Sequence, residues 1–336
     1  MTPDTPGPAD IERAARRIAG IAVRTPLLAS PALTSQAGTP VHLKVETLQP
    51  TGSFKIRGAA SRIGGLDESS RRAGVVTAST GNHGRAVAHV ASTLGIPATV
   101  CVSEGVPPGK VTALRRMGCD LLVDGVSQSE ALVNAERLVT ERGMTLVHPF
   151  DDPDVIAGQG TIGSEIHDDL PTVRTVLVPL SGGGLAAGIL IALKSRDPSI
   201  RVVGVSMRRG AVMAASLERG EPLEMPEFPT LADSLQGGVG LGNRHTFHVV
   251  RDLIDEVVLV EEREIWAGMR LALGEHRLVL EGAAAVGIGA LLSERVEPAG
   301  ETVVVCTGSN IEPRHLAELS EELTADTGDG DVDRRD

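Results

Sequence analysis

The chain has no tyrosine, one tryptophan (Trp266) and four phenylalanines among its 336 residues. So few rings leave little for nucleobases to stack on, and tyrosine is excluded as a general acid. The formal net charge is −12, the wrong sign for a nucleic-acid binder. Between Ile311 and Asp336 there are nine acids and three arginines, so half the excess sits at the C-terminal end. Cys101, Cys119 and Cys306 have no CxxC spacing, and so odd and sparse a count fits a reduced cytoplasm better than a disulfide framework. The first residues, MTPDTPGPAD, lack the basic and apolar regions of a signal peptide, so a cytoplasmic protein is expected. Thr175 to Leu193 carries no charge and approaches the length of a membrane span. Pro179 and three consecutive glycines split it, so it reads as a buried strand, a loop and a helix, with no membrane partner.

What is present alternates. Apolar runs such as VHLKVE, VVTAS, ATVCV, DLLVD, TLVH, TVLVPL, RVVGVS and TVVVCT are separated by helical stretches such as GNHGRAVAHVASTL and EREIWAGMRLALGEHR. Short β-branched runs between longer helices imply βαβ units and an α/β fold with mainly parallel sheets. DDPDVIAG reads as an Asp N-cap followed by proline at the first helical position, a natural return into a second unit. Residues 1–64 and 152–323 are expected to form a large domain and 65–151 a small one, packed around a cleft. Residues 324–336 are expected to be a disordered acidic tail. Asp329, Asp331 and Asp333 mimic a calcium loop, but Arg334 stands where its glycine must be.

Lysine is scarce: Lys44, Lys55, Lys110 and Lys194 against 28 arginines. Arginine cannot form an imine, so a chain that prefers it keeps lysine where an amine is needed. Lys55 has the most unusual setting, PTGSFKIRGA, after a Gly-Ser turn and at the start of a helix, with Phe54 able to shield it from water. The other three have ordinary positions in a strand, after a turn and at a helix end.

Three further segments sit where strands meet helices. SGGGLAAG, Ser181 to Gly188, exposes backbone N–H groups at a helix start and suits a phosphate. Its Gly182, Gly184 and Ala187 also fit the dinucleotide fingerprint, and Arg208 and Arg209 follow the next strand, so an NADP-binding oxidoreductase is an alternative. STGNHGRAVAH, from Ser79, places hydroxyls, Gly81 and Asn82 at a second helix start suited to a carboxylate. His83 and His89 are six apart, so they share no helix face and no metal site is expected. VVVCTGSN ends a strand with Thr307, whose hydroxyl can meet a heteroaromatic nitrogen. An amine, a phosphate cradle, a carboxylate site and a ring-nitrogen partner form a coherent set. A protein that binds such a cofactor without turnover is the remaining alternative.

In their order, PTGSFKIRGA, STGNHG, HPFDDPDVIAGQGT, SGGGLAAG and TGSN resemble the fold type II pyridoxal-phosphate enzymes, the threonine dehydratase and serine racemase group, from about Ile11 to Leu323. The resemblance implies two open, twisted, mainly parallel sheets flanked by helices, and pyridoxal 5′-phosphate held covalently on Lys55. It implies Asn82 at the ring hydroxyl, Ser181, Gly182, Gly183, Gly184 and Leu185 around the phosphate, Thr307 at the pyridine nitrogen, and Glu281 nearby. Ser79, Thr80, Gly81 and His83 would hold the substrate carboxylate. Lys55 would act as the base at Cα, with the cofactor phosphate as proton donor to the leaving hydroxyl. The products would be a 2-oxo acid and ammonia, and the partners an amino-acid substrate and further copies of the chain, as a dimer or tetramer.

This sequence also departs from the pattern. Serine racemases usually carry Ser where Thr80 stands, and Thr80 keeps the hydroxyl while adding a methyl, so racemisation is the alternative activity. The racemases' metal-binding acid would fall at Ser206, so no such metal is expected. The resemblance ends near Leu323, so the regulatory domain of biosynthetic threonine deaminases is not expected. Ala232 to Phe247 is longer than in ordinary threonine dehydratases and resembles the hydroxyectoine-utilisation dehydratases, whose expected substrate is a β-hydroxy diamino acid. Gly237 and Gly238 in this stretch are expected to shape the substrate pocket.

Overall fold

A computed structural model describes residues 4–106 and 108–328. The elements in chain order are α1 (Pro8–Ile18), β1 (Leu27–Ala29), α2 (Pro31–Ala37), β2 (Val41–Val45), α3 (Lys55–Gly64), α4 (Glu68–Ala73), β3 (Val75–Ala78), α5 (Asn82–Leu94), β4 (Ala98–Val102), α6 (Pro108–Arg115), β5 (Asp120–Val123), α7 (Gln128–Arg142) and β6 (Thr145–Leu146). They continue with α8 (Pro153–Asp169), β7 (Thr175–Pro179), α9 (Gly184–Arg196), β8 (Arg201–Met207), α10 (Val212–Arg219), α11 (Thr246–Leu253), β9 (Glu256–Val260), α12 (Glu262–His276), α13 (Gly282–Leu292), β10 (Thr302–Cys306) and α14 (Pro313–Gly328).

The strands form a six-stranded sheet in the order β1-β2-β10-β7-β8-β9 and a four-stranded sheet in the order β5-β4-β3-β6. All pairings are parallel except β1 with β2. Every residue of β4, β7 and β10 is buried, as a parallel strand covered on both faces requires. This is the α/β architecture of two mainly parallel sheets that the alternating pattern and the resemblance led us to expect. The charge-free stretch from Thr175 divides into β7, a glycine turn and α9. Among the described residues, no helix is long and apolar enough to cross a membrane.

Two strands were not apparent in the sequence. β1 is a three-residue antiparallel edge between prolines, and β9 is flanked by acids. The C-terminal reading also needs correction. Residues 324–328, assigned to a disordered tail, continue α14; Asp329, Asp331, Asp333 and the rest of the tail lie outside the described residues. We propose the same division into two units, since the smaller sheet takes its strands from 75–146 only.

Helix α8 organises the centre. Asp152 caps it by accepting from the Val155 N–H at 3.0 Å, with Pro153 at its first position. α3 packs on one side and α9 on another at glycines. A Cβ on Gly158 would lie 2.5 Å from the Arg57 carbonyl, and one on Gly188 would lie 2.4 Å from that of Ile156. The helices that open at Lys55 and at the Ser181 loop are therefore both seated on one support.

A buried charge cluster adds a second constraint. Arg57, fully buried, reaches Glu46 at 2.7 and 2.8 Å and Glu165 at 2.6 and 2.9 Å. Lys44, also fully buried, donates to Glu165 and to the Thr25 carbonyl, each at 2.6 Å. Two cations meet two carboxylates, so the cluster is neutral and its hydrogen bonds offset desolvation. Lys44 is thus a structural ion-pair partner rather than an incidental strand lysine.

Candidate active site

One cavity of about 460 Å³ opens between the two sheets, within the usual range for small-molecule sites. Four backbone segments close around it. The loop carrying Lys55 is zipped to the loop after β10: the Phe54 N–H donates to the Thr307 carbonyl at 3.0 Å, the Ser309 N–H to that of Gly52 at 2.9 Å, and Ser53 bridges Gly308. This brings Thr307, 3% exposed, to the same cavity as Lys55. As expected, Lys55 opens a helix after the Gly-Ser turn; a short 3-10 turn at Glu46–Leu48 and the Thr51–Phe54 loop join it to β2.

The other two walls are helix N-termini. α5 starts at Asn82 behind Ser79, Thr80 and Gly81, and α9 starts at Gly184 behind Ser181, Gly182 and Gly183. Their first N–H groups face the cavity, giving two separate places for negative charge. Gly183 has φ 88°, which a side-chain-bearing residue rarely adopts. A Cβ on Gly182 would lie 2.5 Å from the Phe150 ring, and one on Gly184 would lie 2.8 Å from the Phe150 Cα. The loop can lie directly against Phe150, with its backbone toward the cavity, only because these glycines have no side chain.

Electrostatics follow burial. The Lys55 Nζ donates to the Pro149 carbonyl at 2.7 Å and stands 5.3 Å from the Phe54 ring centre. Desolvation lowers its pKa to about 8, against the pull of Glu281, so a neutral amine is accessible near neutral pH. Glu281 is itself pushed up to about 7 by burial, although the Asn82 Nδ2 donates to it at 2.7 Å. The Asn82 Oδ1 accepts from Asn310 at 2.5 Å, and the Asn310 Oδ1 accepts from Arg85 at 2.8 Å. Burial lowers His83 to about 3, helped by the charge of Lys55 and opposed by its bond to the Val147 carbonyl at 2.8 Å. His83 is therefore neutral and anchors its loop to the strand end.

Phe54, Lys55, Ser79, Thr80, Gly81, Asn82, His83, Ser181, Gly182, Gly183, Gly184, Leu185, Gly237, Gly238, Glu281 and Thr307 all line this cavity. Sequence reasoning missed Pro149, Glu227, Asp233, Ser234 and Gln236 as lining residues. Their only signal was nearness to HPFDDP and to the glycine-rich stretch. The groups present fit pyridoxal phosphate: an amine that can be neutral, a glycine cradle at a helix N-terminus, and a hydroxyl at the end of β10.

The sequence matches the family model described as pyridoxal-phosphate dependent enzyme over residues 18–308. A protein of Sinorhizobium fredii is 51% identical over 303 residues, covering 90% of this chain and 91% of that one. The L-threonine ammonia-lyase of Thermotoga maritima is 42% identical over 303 residues, covering 90% and 75%. The structure of maize serine racemase superimposes with a TM-score of 0.89 at 31% identity, over 96% of this chain and 99% of that one.

Proposed function

The chain belongs to the pyridoxal-phosphate dependent enzyme family, and from that premise we propose that it is an ammonia-lyase acting on a β-hydroxy amino acid. The observation that carries this reading is the position of the Lys55 amine in one cavity with two helix N-termini. One suits the cofactor phosphate and the other a substrate carboxylate.

When bound, the cofactor supplies an electron sink for the pair left at Cα. Lys55 would hold it covalently, Ser181–Leu185 its phosphate, Asn82 its ring hydroxyl and Thr307 its ring nitrogen, with Phe54 and Glu281 beside it. Once the substrate amine has taken its place, Lys55 accepts the Cα proton. Thr307 is neutral and cannot hold a proton on the ring nitrogen as a carboxylate would. With Thr307 there the cofactor would supply a weaker electron sink, which suits elimination of the β-hydroxyl. Ser79, Thr80, Gly81 and the neutral His83 orient the substrate carboxylate at the start of α5. Loss of Cα–H and Cβ–OH removes water. The released enamine then takes water back, giving a 2-oxo acid and ammonia with no change of oxidation state overall.

Similarity to the L-threonine ammonia-lyase supports L-threonine as substrate, with L-serine as its smaller β-hydroxy analogue to be tested beside it. Glu227 and Asp233, carboxylates lining the same cavity, support a larger substrate with a cationic side chain, such as a hydroxyectoine-derived hydroxy diamino acid. The Thr80 hydroxyl and the likeness to serine racemase favour racemisation as a second reading. Release of 2-oxo acid from these substrates by the purified, cofactor-loaded protein, with chiral analysis of residual substrate, separates them. Turnover on L-threonine alone supports a threonine dehydratase, and turnover confined to the diamino acid supports the larger substrate. Inversion without 2-oxo acid would overturn the lyase reading. We also propose a homo-oligomer, dimer or tetramer, to be checked by light scattering.

A further inference from the structure

Four glycines lie between residues 237 and 242, and of the two side chains among them Val239 is buried in the core while Leu241 faces solvent. A Cβ on Gly240 or Gly242 would meet nothing within 4 Å, and Leu241 is 64% exposed. Yet Gly237 and Gly238 line the cavity, so their position bears on what fits there. Besides the buried Val239 side chain, the stretch is held through its far end. Asn243 clasps it internally: its Nδ2 donates to the Val239 carbonyl at 2.9 Å and to the Thr246 hydroxyl at 2.7 Å, and its Oδ1 accepts from the Phe247 N–H at 2.9 Å.

Asp151 ties that clasp to the rest of the site. Its Oδ2 accepts from the Arg244 N–H at 2.7 Å, and its Oδ1 from those of His245 and Thr246 at 3.0 and 2.9 Å. The turn that presents Asp151 is itself fixed. The His148 Nδ1 accepts from the Phe150 and Asp151 N–H groups at 3.3 and 2.8 Å, a role open only to unprotonated imidazole. Within the same turn, Pro149 accepts from Lys55 and Phe150 packs over Gly182.

We propose that Asp151 is a positioning residue that sets substrate selectivity by holding the Gly237–Arg244 loop at a fixed distance from the lysine and the phosphate cradle. Three charge-assisted bonds converge on one carboxylate, so no neutral side chain reproduces them all. Asparagine can keep the Oδ1 bonds to residues 245 and 246, but it turns an amide N–H toward the Arg244 N–H. Asp151→Asn therefore releases the loop at Arg244 while leaving Pro149 and Phe150 in place.

The inference rests on the β-elimination reading, and the experiment separates the two. Cofactor-loaded wild-type, Asp151→Asn, Asn243→Ala and the double variant are assayed for kcat and KM on L-serine, L-threonine and a bulkier β-hydroxy amino acid. Binding of L-alanine, which cannot eliminate, is followed by its effect on the cofactor absorbance. If the wild-type eliminates from none of these substrates, the elimination reading fails by itself. For Asp151→Asn we expect unchanged cofactor content, KM and the L-alanine dissociation constant raised about tenfold, kcat within about threefold, and an altered ratio between small and bulky substrates. The double variant should lose less than the product of the single effects, because both residues act on one loop. Wild-type KM values and ratios in Asp151→Asn would overturn the proposal. So would a fall in kcat and cofactor content with unchanged ratios, which marks a purely structural cap.

Discussion

The Nζ of Lys55 and the carbonyl oxygen of Pro149 are 2.7 Å apart, so the amine that would carry the cofactor is tethered to the turn that also supports the phosphate cradle. The tether holds the amine in the cleft, where desolvation depresses its pKa to about 8.

Only the neutral amine attacks an aldehyde. With a pKa of about 8 half the amine is free at pH 8, whereas at the ordinary value about one in 300 would be. The rate at which cofactor-free protein takes up pyridoxal phosphate, followed by absorbance, should rise with pH through about 8 and then level off. A rise continuing to pH 10 would show an unperturbed lysine. Lys55→Ala should form no covalent adduct and lose turnover by several orders of magnitude.

The cradle makes two distinguishable predictions. Gly182→Ala places a methyl against the Phe150 ring, whereas Gly184→Ala places one against the Phe150 backbone. Each should weaken cofactor binding by about a hundredfold, equivalent to about 3 kcal/mol. Adding Phe150→Ala should restore much of the loss in the first and none in the second. Equilibrium titration with the cofactor reads both.

Arg57→Ala removes the only arginine of the buried cluster and leaves Glu46 and Glu165 facing each other with Lys44 as sole counter-charge. Breaking such a cluster costs about 3–5 kcal/mol. A fall of roughly 10 °C in the melting midpoint is expected. Arg57→Lys should recover little, because an ammonium cannot form both bidentate contacts.

Glu281 titrates in the opposite sense to a salt-bridged acid. Its folded pKa, about 7, lies above its ordinary value of 4.5. Its stabilising contribution is therefore complete below about pH 4.5 and is lost as pH rises through 7, up to about 3 kcal/mol. Glu281→Gln still offers an oxygen to Asn82 and carries no charge. The cofactor-free variant should match wild-type in denaturant unfolding at pH 5 and exceed it at pH 8. Equal stability at pH 8 would show that Glu281 is ionised there at no cost.

What could be read from the sequence depended on whether a residue type was chemically irreplaceable. Lys55 and the three glycines of the cradle were visible because arginine cannot make an imine and a side chain cannot occupy Gly182 or Gly184. Arg57 was invisible for the converse reason. On α3 it looks like any solvated helix arginine, and its buried partners, Glu46 and, 108 residues away, Glu165, make it a core residue. The Asp N-cap before Pro153 was legible and is Asp152, whereas Asp151 beside it gave no signal, because its partners lie across the cleft at 244–246. β1 was too short to show a pattern, and its pairing with β2 is what makes it a strand.

The zipper between residues 52–54 and 307–309 has a consequence for synthesis. β10 lies between β2 and β7, so the first strands of the chain join the larger sheet only after residue 306 has been made. While the ribosome is still adding residues, the smaller sheet can pair completely, but Lys55 stands on a loop without its partner strand. The nascent chain must therefore wait for β10 before it can retain a cofactor, and a ribosome that stalls before β10 releases a product with unpaired strand edges at β2 and β7.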